Sequence, residues 1–182
     1  SVIKKEAWLA NISKADHVLC IGGGPCPFSG ILMHELTGAR VTVIDNDSRC
    51  IGCSKHIVRA LGYDKSINIS FCDGCEIDTQ GYSVVHLALQ VTPKEKVFNC
   101  LKKHCRLGTR ILVRLPKKSL GSLYSRIDKE LFNSCSKAIH DSGRNIKSTV
   151  LYIKSEETYE KSIENNGNLF DNRADACTAA AV

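Results

Sequence analysis

A chain of 182 residues with 43% hydrophobic and 24% charged residues has the composition of one globular domain that is large enough for a hydrophobic core. None of its apolar runs approaches the roughly 20 residues that a membrane-spanning helix needs, and its formal net charge of +6 permits an acidic partner without requiring one. Its ten cysteines alternate with strand and helix patterns in a chain too large to need disulfide staples, so we expect a cytoplasmic protein whose thiols are reduced or bind metal.

The first part of the chain predicts a short helix followed by a strand. Residues 4–14 have the pattern of an amphipathic helix, with Ala7, Trp8 and Ile12 on one side. This apolar side could dock against a partner. The apolar run in residues 17–21 then predicts a buried strand.

The turn after this strand contains three consecutive glycines, Gly22, Gly23 and Gly24. Glycine permits positive φ and lets a ligand approach the main chain without meeting a Cβ atom, and the helix that follows presents free N–H groups. Pro27 stands where the third glycine of the pattern G-x-G-x-x-G would be, and the next glycine is Gly30. The turn therefore predicts a ligand site, but not a pyrophosphate fingerprint.

Strands and helices alternate through the rest of the chain. We expect helices that end at Gly38, begin at Asp47 or Ser48, and begin at the capping box Thr92-Pro93-Lys94-Glu95, and a longer helical region over residues 120–140. Further strands are predicted at residues 41–44, 67–71, 82–89, 110–114 and 149–153.

This order of elements is typical of an α/β fold. It predicts a doubly wound, mostly parallel, Rossmann-like sheet in one domain that spans residues 1–154. Residues 155–182 contain Asn-Asn-Gly, few large apolar side chains and an alanine-rich end, which predicts a loosely ordered tail.

Aspartates follow two strands at the edge of the sheet where such folds bind ligands. Asp45 ends the second predicted strand and Asp73 follows the third, while the glycine turn follows the first. A carboxylate after strand two can accept hydrogen bonds from both ribose hydroxyls, and one after strand three can accept from an adenine amino group. These features predict an adenosine site. Asp47 is either a further ligand or a helix cap.

These residues resemble a known family. The turn Gly-Gly-Gly-Pro-Cys-Pro-Phe-Ser-Gly at 22–30, the run Val-Ile-Asp-Asn-Asp at 43–47, and Asp73 are similar to those of class I S-adenosylmethionine-dependent transferases. The nearest likeness is to the nicotianamine synthases of the archaeal and bacterial type, whose turn reads Gly-Gly-Gly-Pro-Leu-Pro. The likeness covers residues 17–114, and more loosely continues to residue 153.

The resemblance implies S-adenosylmethionine as the cofactor and transfer of its aminocarboxypropyl chain to a small-molecule amine, which gives a nicotianamine-like chelator. Methyl transfer remains the alternative, because the residues do not show which carbon next to the sulfur is attacked. Family members have a helical region before the glycine turn that supplies catalytic side chains, so catalytic residues stay unassigned here, and we expect a missing N-terminal helical segment or a homodimer partner. The resemblance implies cofactor contacts from Gly22, Gly23, Gly24, Pro25, Asp45, Asp47, Asp73 and Ala88.

Two Cys-x-x-Cys pairs, Cys50 with Cys53 and Cys72 with Cys75, support a different interpretation. This spacing is typical of a zinc ribbon, and the pairs follow neighbouring strands, so four thiolates could hold zinc or an iron–sulfur cluster. A non-catalytic metal-binding module is therefore a second alternative. The competing interpretation is four plain or redox-sensitive thiols, because free cysteine packs as a small hydrophobe.

Two further features are expected to be structural. His86 lies inside a predicted strand and is interpreted as a core histidine with satisfied hydrogen bonds. A basic group could bind RNA or DNA, as a nucleic-acid methyltransferase would, but a charge run on a helix and its turn is more often a solvated face, so we do not expect nucleic acid as a partner. The group is Lys102, Lys103, His104, Arg106, Arg110, Arg114, Lys117 and Lys118.

Overall fold

The computed structural model describes residues 1–120, 123–125, 127, 129–132, 137–140 and 146–156. Its helices are α1 (Val2–Leu9), α2 (Phe28–Thr37), α3 (Ser48–Ala60) and α4 (Lys94–His104), with 3₁₀ turns at Lys118–Leu120 and Lys129–Phe132. Its strands are β1 (His17–Ile21), β2 (Arg40–Asp45), β3 (Ile67–Phe71), β4 (Val84–Leu87), β5 (Arg110–Pro116), β6 (Lys137–His140) and β7 (Ile146–Ile153). No helix within these described ranges is both long enough and apolar enough to cross a bilayer.

The strands form one sheet in the order β3-β2-β1-β4-β5-β7-β6. The first five are parallel, and β7 and β6 add an antiparallel edge. The chain runs outward from β1 to β3 and then returns to β4 on the other side of β1, so the strand order reverses between β1 and β4. At such a reversal the loops after the two strands diverge and leave a crevice beyond their carboxyl ends. The predicted doubly wound, mostly parallel sheet is confirmed.

Helices cover both faces of the sheet because the central strands are apolar on both sides. On one face, α1, α2 and α3 pack on a cluster that includes Val18, Val84 and Leu112. On the other face, α4 packs on a cluster that includes Leu19 and Val85. Alternate residues of the same strands thus belong to different cores, as the period of two requires.

The strongest local predictions are confirmed at residue level. The strand predicted over residues 67–71 is β3. Gly38 ends α2 with φ 70° and donates its N–H to the His34 carbonyl, because glycine adopts the left-handed conformation at little cost. Asp47 caps α3, and its side chain accepts a hydrogen bond from the Arg49 N–H group.

Three local predictions are wrong. The proposed apolar docking side of α1 is not one surface, because Ala7 is buried in the core, Ile12 is half-buried after the helix has ended, and Trp8 is 79% exposed.

At the expected capping box, Pro93 itself occupies the cap position, and the Ser125 hydroxyl accepts from the Lys94 N–H group. The expected helix over residues 120–140 is replaced, within the described residues, by a 3₁₀ turn and the strand β6. The expected loose tail lies almost entirely outside the described residues.

Candidate functional site

A cavity of about 630 Å³ opens at the carboxyl ends of the parallel strands, where the strand order reverses. Its volume lies in the range of small-molecule sites in proteins. It is lined by the ends of β1 and β2, the glycine turn with the start of α2, the loops after β3 and β4, the first turn of α4, and one side chain each of β4 and β5. These are the positions at which open α/β sheets bind nucleosides.

The glycine turn forms the wall nearest to β1. Gly22 has φ 86° and Gly24 has φ 62°, a conformation that side chains disfavour. The N–H groups of Gly22 and Gly23 both donate to the Ile44 carbonyl, at 2.9 and 3.2 Å, which ties the turn to β2. A Cβ atom on Gly23 would lie 2.2 Å from a Val43 methyl group, whereas one on Gly24 would meet nothing within 4 Å. Gly23 is therefore required for packing, and the space over Gly24 is open to a ligand.

Asp45 stands at the end of β2 and lines the cavity. Its Oδ2 accepts from the Gly24 N–H group at 2.7 Å, and its Oδ1 accepts from the Asp47 N–H group at 2.9 Å. Each carboxylate oxygen has a second lone pair, so these bonds leave acceptor capacity. Asp45 thus holds the turn against the start of α3 and still offers oxygens to a ligand.

Asp47 takes the helix-capping alternative. It is bonded to the backbone and side chain of Arg49, and these hydrogen bonds lower the pKa of its carboxyl group to about 2. It is not among the described residues that line the cavity.

The loops after β3 and β4 form the remaining wall. Asp73 lines the cavity, and its Oδ1 accepts from the Cys75 N–H group at 2.8 Å. Ala88 is buried, also lines the cavity, and donates its N–H to the Ile21 carbonyl at 3.1 Å. The structure therefore brings the glycine turn, Asp45, Asp73 and Ala88 together around one cavity.

A buried polar cluster lies below this wall, and sequence reasoning did not find it. Glu6 of α1 is fully buried and accepts from Arg114 of β5 through both oxygens, from Nε at 2.8 Å and from Nη2 at 2.7 Å. The Thr149 hydroxyl donates to Glu6 at 2.6 Å, and Nε2 of His86 lies 3.5 Å from the carboxylate. Nη1 of Arg114 donates to the Ser29 hydroxyl at 2.9 Å. Arg114, Ser29 and His86 all line the cavity, so this cluster forms its floor.

Burial and charge set the protonation of the floor. Burial alone would raise the pKa of Glu6, but its interactions with Arg114 and His86 hold that pKa well below the ordinary value. Burial, and then the charge of Arg114, lower the pKa of His86. Burial raises the pKa of the Cys20 thiol to about 12. The floor therefore holds an ionised carboxylate, a guanidinium, a neutral imidazole and a neutral thiol at pH 7.

Lys94 supports the end of β4 from the other face of the sheet. Its side chain is completely buried, and its Nζ donates to the Ala88 carbonyl. Burial, and then the charge of Arg114, lower its pKa to about 7. The bond fixes the backbone at a point where the cavity wall is formed by Ala88.

The four-thiolate metal site expected from the Cys-x-x-Cys pairs is not formed. Cys50 and Cys53 lie on α3, where Cys53 is exposed, whereas Cys72 and Cys75 line the cavity after β3. Within the described part of the chain, which includes all four thiols, no three His, Cys, Asp or Glu side chains are grouped so that they could hold a metal ion. The nearest thiol partner of Cys75 is instead Cys100 of α4, with 2.7 Å between the sulfur atoms.

One signal in the sequence could have revealed the cluster on the floor. Glu6 is an acid on the side of α1 that also carries Ile3 and Ala7, and these residues and Ala10, which caps the helix, are buried. A carboxylate among apolar residues of an amphipathic helix needs a buried cationic partner. In the structure, Arg114 of β5 is that partner.

The fold and the cavity define a class I methyltransferase-fold protein. An RNA methyltransferase from Salinibacter ruber, solved with S-adenosyl-L-homocysteine, superimposes with a TM-score of 0.67 at 17% identity over 85% of this chain and 91% of that one, which shows the shared fold. The sequence pattern described as "Nicotianamine synthase protein" matches residues 6–158. The chain therefore belongs to the nicotianamine synthase family.

Individual relatives match over part of their length. The structure of MtNAS in complex with MTA and tNA has a TM-score of 0.72 and 26% identity, and the match covers 84% of this chain and 58% of that one. A mutant of MtNAS in complex with S-adenosylmethionine matches equally well, over 85% and 61% of the two chains. The L-histidine 2-aminobutanoyltransferase of Pseudomonas aeruginosa is 25% identical over 116 residues, 62% of this chain and 43% of that protein. The chain thus spans about half the length of these relatives.

Proposed function

We propose that the chain binds S-adenosylmethionine in this cavity and transfers the aminocarboxypropyl group to a small-molecule amine. The observation that carries the proposal is the family match over residues 6–158, which includes every part of the chain that lines the cavity. Two structures of MtNAS support it, since one is a complex with S-adenosylmethionine and the other a complex with MTA and tNA.

The proposed cofactor position follows from the cavity wall. The adenosine lies across the glycine turn, with its ribose hydroxyls on the free lone pairs of Asp45 and its adenine amino group on Asp73. Gly22, Gly23, Gly24, Pro25 and Ala88 supply the wall against which the cofactor packs. Asp47 is left out of the cofactor site, because its carboxylate is engaged by Arg49 outside the cavity.

The reaction depends more on how the protein positions the two substrates than on activation of either one. The sulfonium of S-adenosylmethionine is already an activated electrophile, so the protein must align an amine nitrogen with the carbon–sulfur bond and keep water away. Attack on the aminocarboxypropyl carbon releases methylthioadenosine, a neutral thioether. Arg114 lines the cavity from β5 and is held in place by the buried Glu6, so its guanidinium can orient the carboxylate group of the transferred chain or of the acceptor.

The identity of the adenosyl product tests this proposal. The full chain is incubated with S-adenosylmethionine and, separately, with L-histidine, L-glutamate or a second S-adenosylmethionine as the acceptor, and products are identified by mass spectrometry. Methylthioadenosine together with an acceptor enlarged by the aminocarboxypropyl group is expected. S-adenosylhomocysteine with a methylated acceptor would establish methyl transfer, the second candidate, instead.

Other expectations from the sequence receive no such support. With the four thiols apart, zinc or an iron–sulfur cluster is not proposed as a cofactor. A contribution from an N-terminal helical segment or a second protomer, and a cytoplasmic location, stay predictions. The first of these would be tested by comparing turnover of this chain alone with turnover of a longer chain.

A further inference from the structure

His86 lacks the hydrogen bonds expected of a core histidine. Its side chain is completely buried, and neither ring nitrogen has a hydrogen-bond partner among the described residues. Buried polar atoms are almost always bonded, so such an imidazole needs an explanation. The hydroxyl groups of Thr79 and Thr109 are also buried without a hydrogen-bond partner, but of these three described residues only His86 lines the cavity. The expectation that His86 is a satisfied core residue is therefore wrong.

The neighbours of His86 define which ring nitrogen can accept a proton. Nε2 lies 3.5 Å from Oε2 of Glu6, and an ionised carboxylate can only accept, so it favours the tautomer with hydrogen on Nε2. Nδ1 is then an unprotonated acceptor without a partner in the described chain. Glu6 itself is a poor acceptor of a further proton, because Arg114 and Thr149 already donate to both of its oxygens.

Among the described residues, three charged groups act on His86. Glu6 faces it from α1, Arg114 from β5 and Lys94 from α4, while the neutral Cys20 thiol stands at the paired position of β1. The carboxylate favours a protonated ring, and burial and the two cations oppose it. The balance lowers the pKa of His86, so the ring is neutral at pH 7 and able to take up a proton.

We infer that His86 accepts the proton that the attacking amine loses. The inference rests on the proposed function and deepens it. A proton of the acceptor's ammonium group first moves to Nδ1, and the imidazolium so formed lies beside the Glu6 carboxylate at Nε2. The freed amine nitrogen then forms a bond to the aminocarboxypropyl carbon, the carbon–sulfur bond breaks, and its electron pair stays on sulfur as methylthioadenosine. The acceptor's N–H group thus supplies the partner that the free ring lacks.

This arrangement explains why an imidazole stands on a floor that already has a carboxylate. A small amine is mostly protonated at pH 7 and cannot attack until it loses a proton. A neutral imidazole whose Nδ1 has no partner in the described chain offers that proton a free lone pair, and a carboxylate behind the imidazole stabilises the cation that results. The Glu6 carboxylate is held by Arg114 and has no freedom to move to the substrate itself.

Three substitutions in the full chain test the inference. His86→Phe keeps an aromatic ring, a larger one, without nitrogen atoms, and His86→Gln keeps a polar group without a base. His56→Gln removes an exposed histidine of α3 as the matched control. With enzyme in excess over S-adenosylmethionine and L-histidine as the acceptor, both His86 variants should lose transfer rate by about 100-fold or more. Binding of methylthioadenosine, measured by calorimetry, should stay unchanged.

The pH profile separates a proton acceptor from a structural residue. In wild type and His56→Gln the rate should reach a plateau near neutral pH. In His86→Phe it should keep rising tenfold per pH unit, because the reaction then depends on the free amine in solution. An unchanged rate and profile in His86→Phe would overturn the role of His86 and leave the proposed transfer standing. Wild-type protein that converts S-adenosylmethionine into S-adenosylhomocysteine instead of methylthioadenosine would overturn both.

A second readout does not need turnover. In ¹⁵N-labelled protein saturated with methylthioadenosine, addition of L-histidine should shift the ring ¹⁵N resonances of His86 and leave those of His56 unchanged. His86 resonances that do not respond to an acceptor whose binding is detected by calorimetry would contradict the inference.

Discussion

Removing the Glu6 carboxylate should destabilise the protein strongly. In the folded chain the side chain of Glu6 is 0% exposed and that of Arg114 is 9% exposed, and two charge-assisted hydrogen bonds join them. Glu6→Leu leaves the guanidinium buried without its anion, and the Thr149 hydroxyl without its acceptor. Breaking such a pair from one side costs about 3–5 kcal/mol, which for a chain of this size lowers Tm by about 6–20 °C.

Urea unfolding at pH 7 measures this effect, and two variants calibrate it. Arg49→Met removes the exposed ion pair with Asp47 and should leave the stability nearly unchanged. The double variant Glu6→Leu with Arg114→Met leaves no unpaired charge, so it should recover much of the stability that the single variant loses. A loss below about 1 kcal/mol in Glu6→Leu would refute the reasoning, and so would a double variant as unstable as the two single losses combined.

The same pair gives the stability a defined pH dependence. The pKa of Glu6 is lower in the folded chain than its ordinary value of 4.5, so the unfolded chain binds the extra proton. The contribution of Glu6 is therefore complete above pH 4.5 and declines as the pH falls below that value. The stability difference between wild type and Glu6→Gln should shrink in acid, and a difference that grows would contradict the assignment.

Three further predictions concern the cavity and its support, and a fourth concerns two thiols beside it. Asp45→Ala should weaken S-adenosylmethionine binding by about 1–3 kcal/mol in calorimetry, and unchanged affinity would remove Asp45 from the site. Asp73→Asn should bind more tightly than Asp73→Ala, because the amide keeps an acceptor, and equal losses would mean that Asp73 only shapes its loop. Because the pKa of Lys94 is lowered from 10.5 to about 7, wild type should gain stability relative to Lys94→Met as the pH rises from 7 towards 10.5, and a constant difference would contradict the lowered pKa of the buried amine. Diamide, a two-electron oxidant, should join Cys75 to Cys100 by a disulfide that peptide mass mapping detects, and pairing of either thiol with another cysteine would contradict the 2.7 Å approach.

Local sequence signals predicted the fold well where the residues within a single strand or turn determine its structure. The apolar alternation of β3 and the glycine that ends α2 depend on residues within each element, and both were predicted at the observed positions. The capping box failed because the Lys94 N–H group bonds to Ser125, which lies 31 residues away along the chain. A local sequence pattern cannot predict a contact between residues so far apart in the sequence.

The wall and the floor of the candidate site also differ in how far the sequence predicts them. The wall of the cavity was predictable, since the glycine turn, Asp45 and Asp73 each follow a strand directly and the topology brings strand ends together. The floor was harder to predict. Glu6 on the buried side of α1 calls for a cationic partner, but Arg114 is 108 residues away and no local pattern identifies it as that partner. The metal hypothesis failed for a related reason, since cysteine spacing alone does not show which way each thiol faces.

The most direct test of the account follows an isotope through the reaction. S-adenosylmethionine labelled with ¹³C in the aminocarboxypropyl chain and with deuterium in the methyl group is incubated with the full chain and L-histidine, and both products are analysed by mass spectrometry. The account predicts ¹³C in the enlarged acceptor and deuterium in methylthioadenosine. Deuterium in the acceptor, with ¹³C retained in S-adenosylhomocysteine, would contradict it.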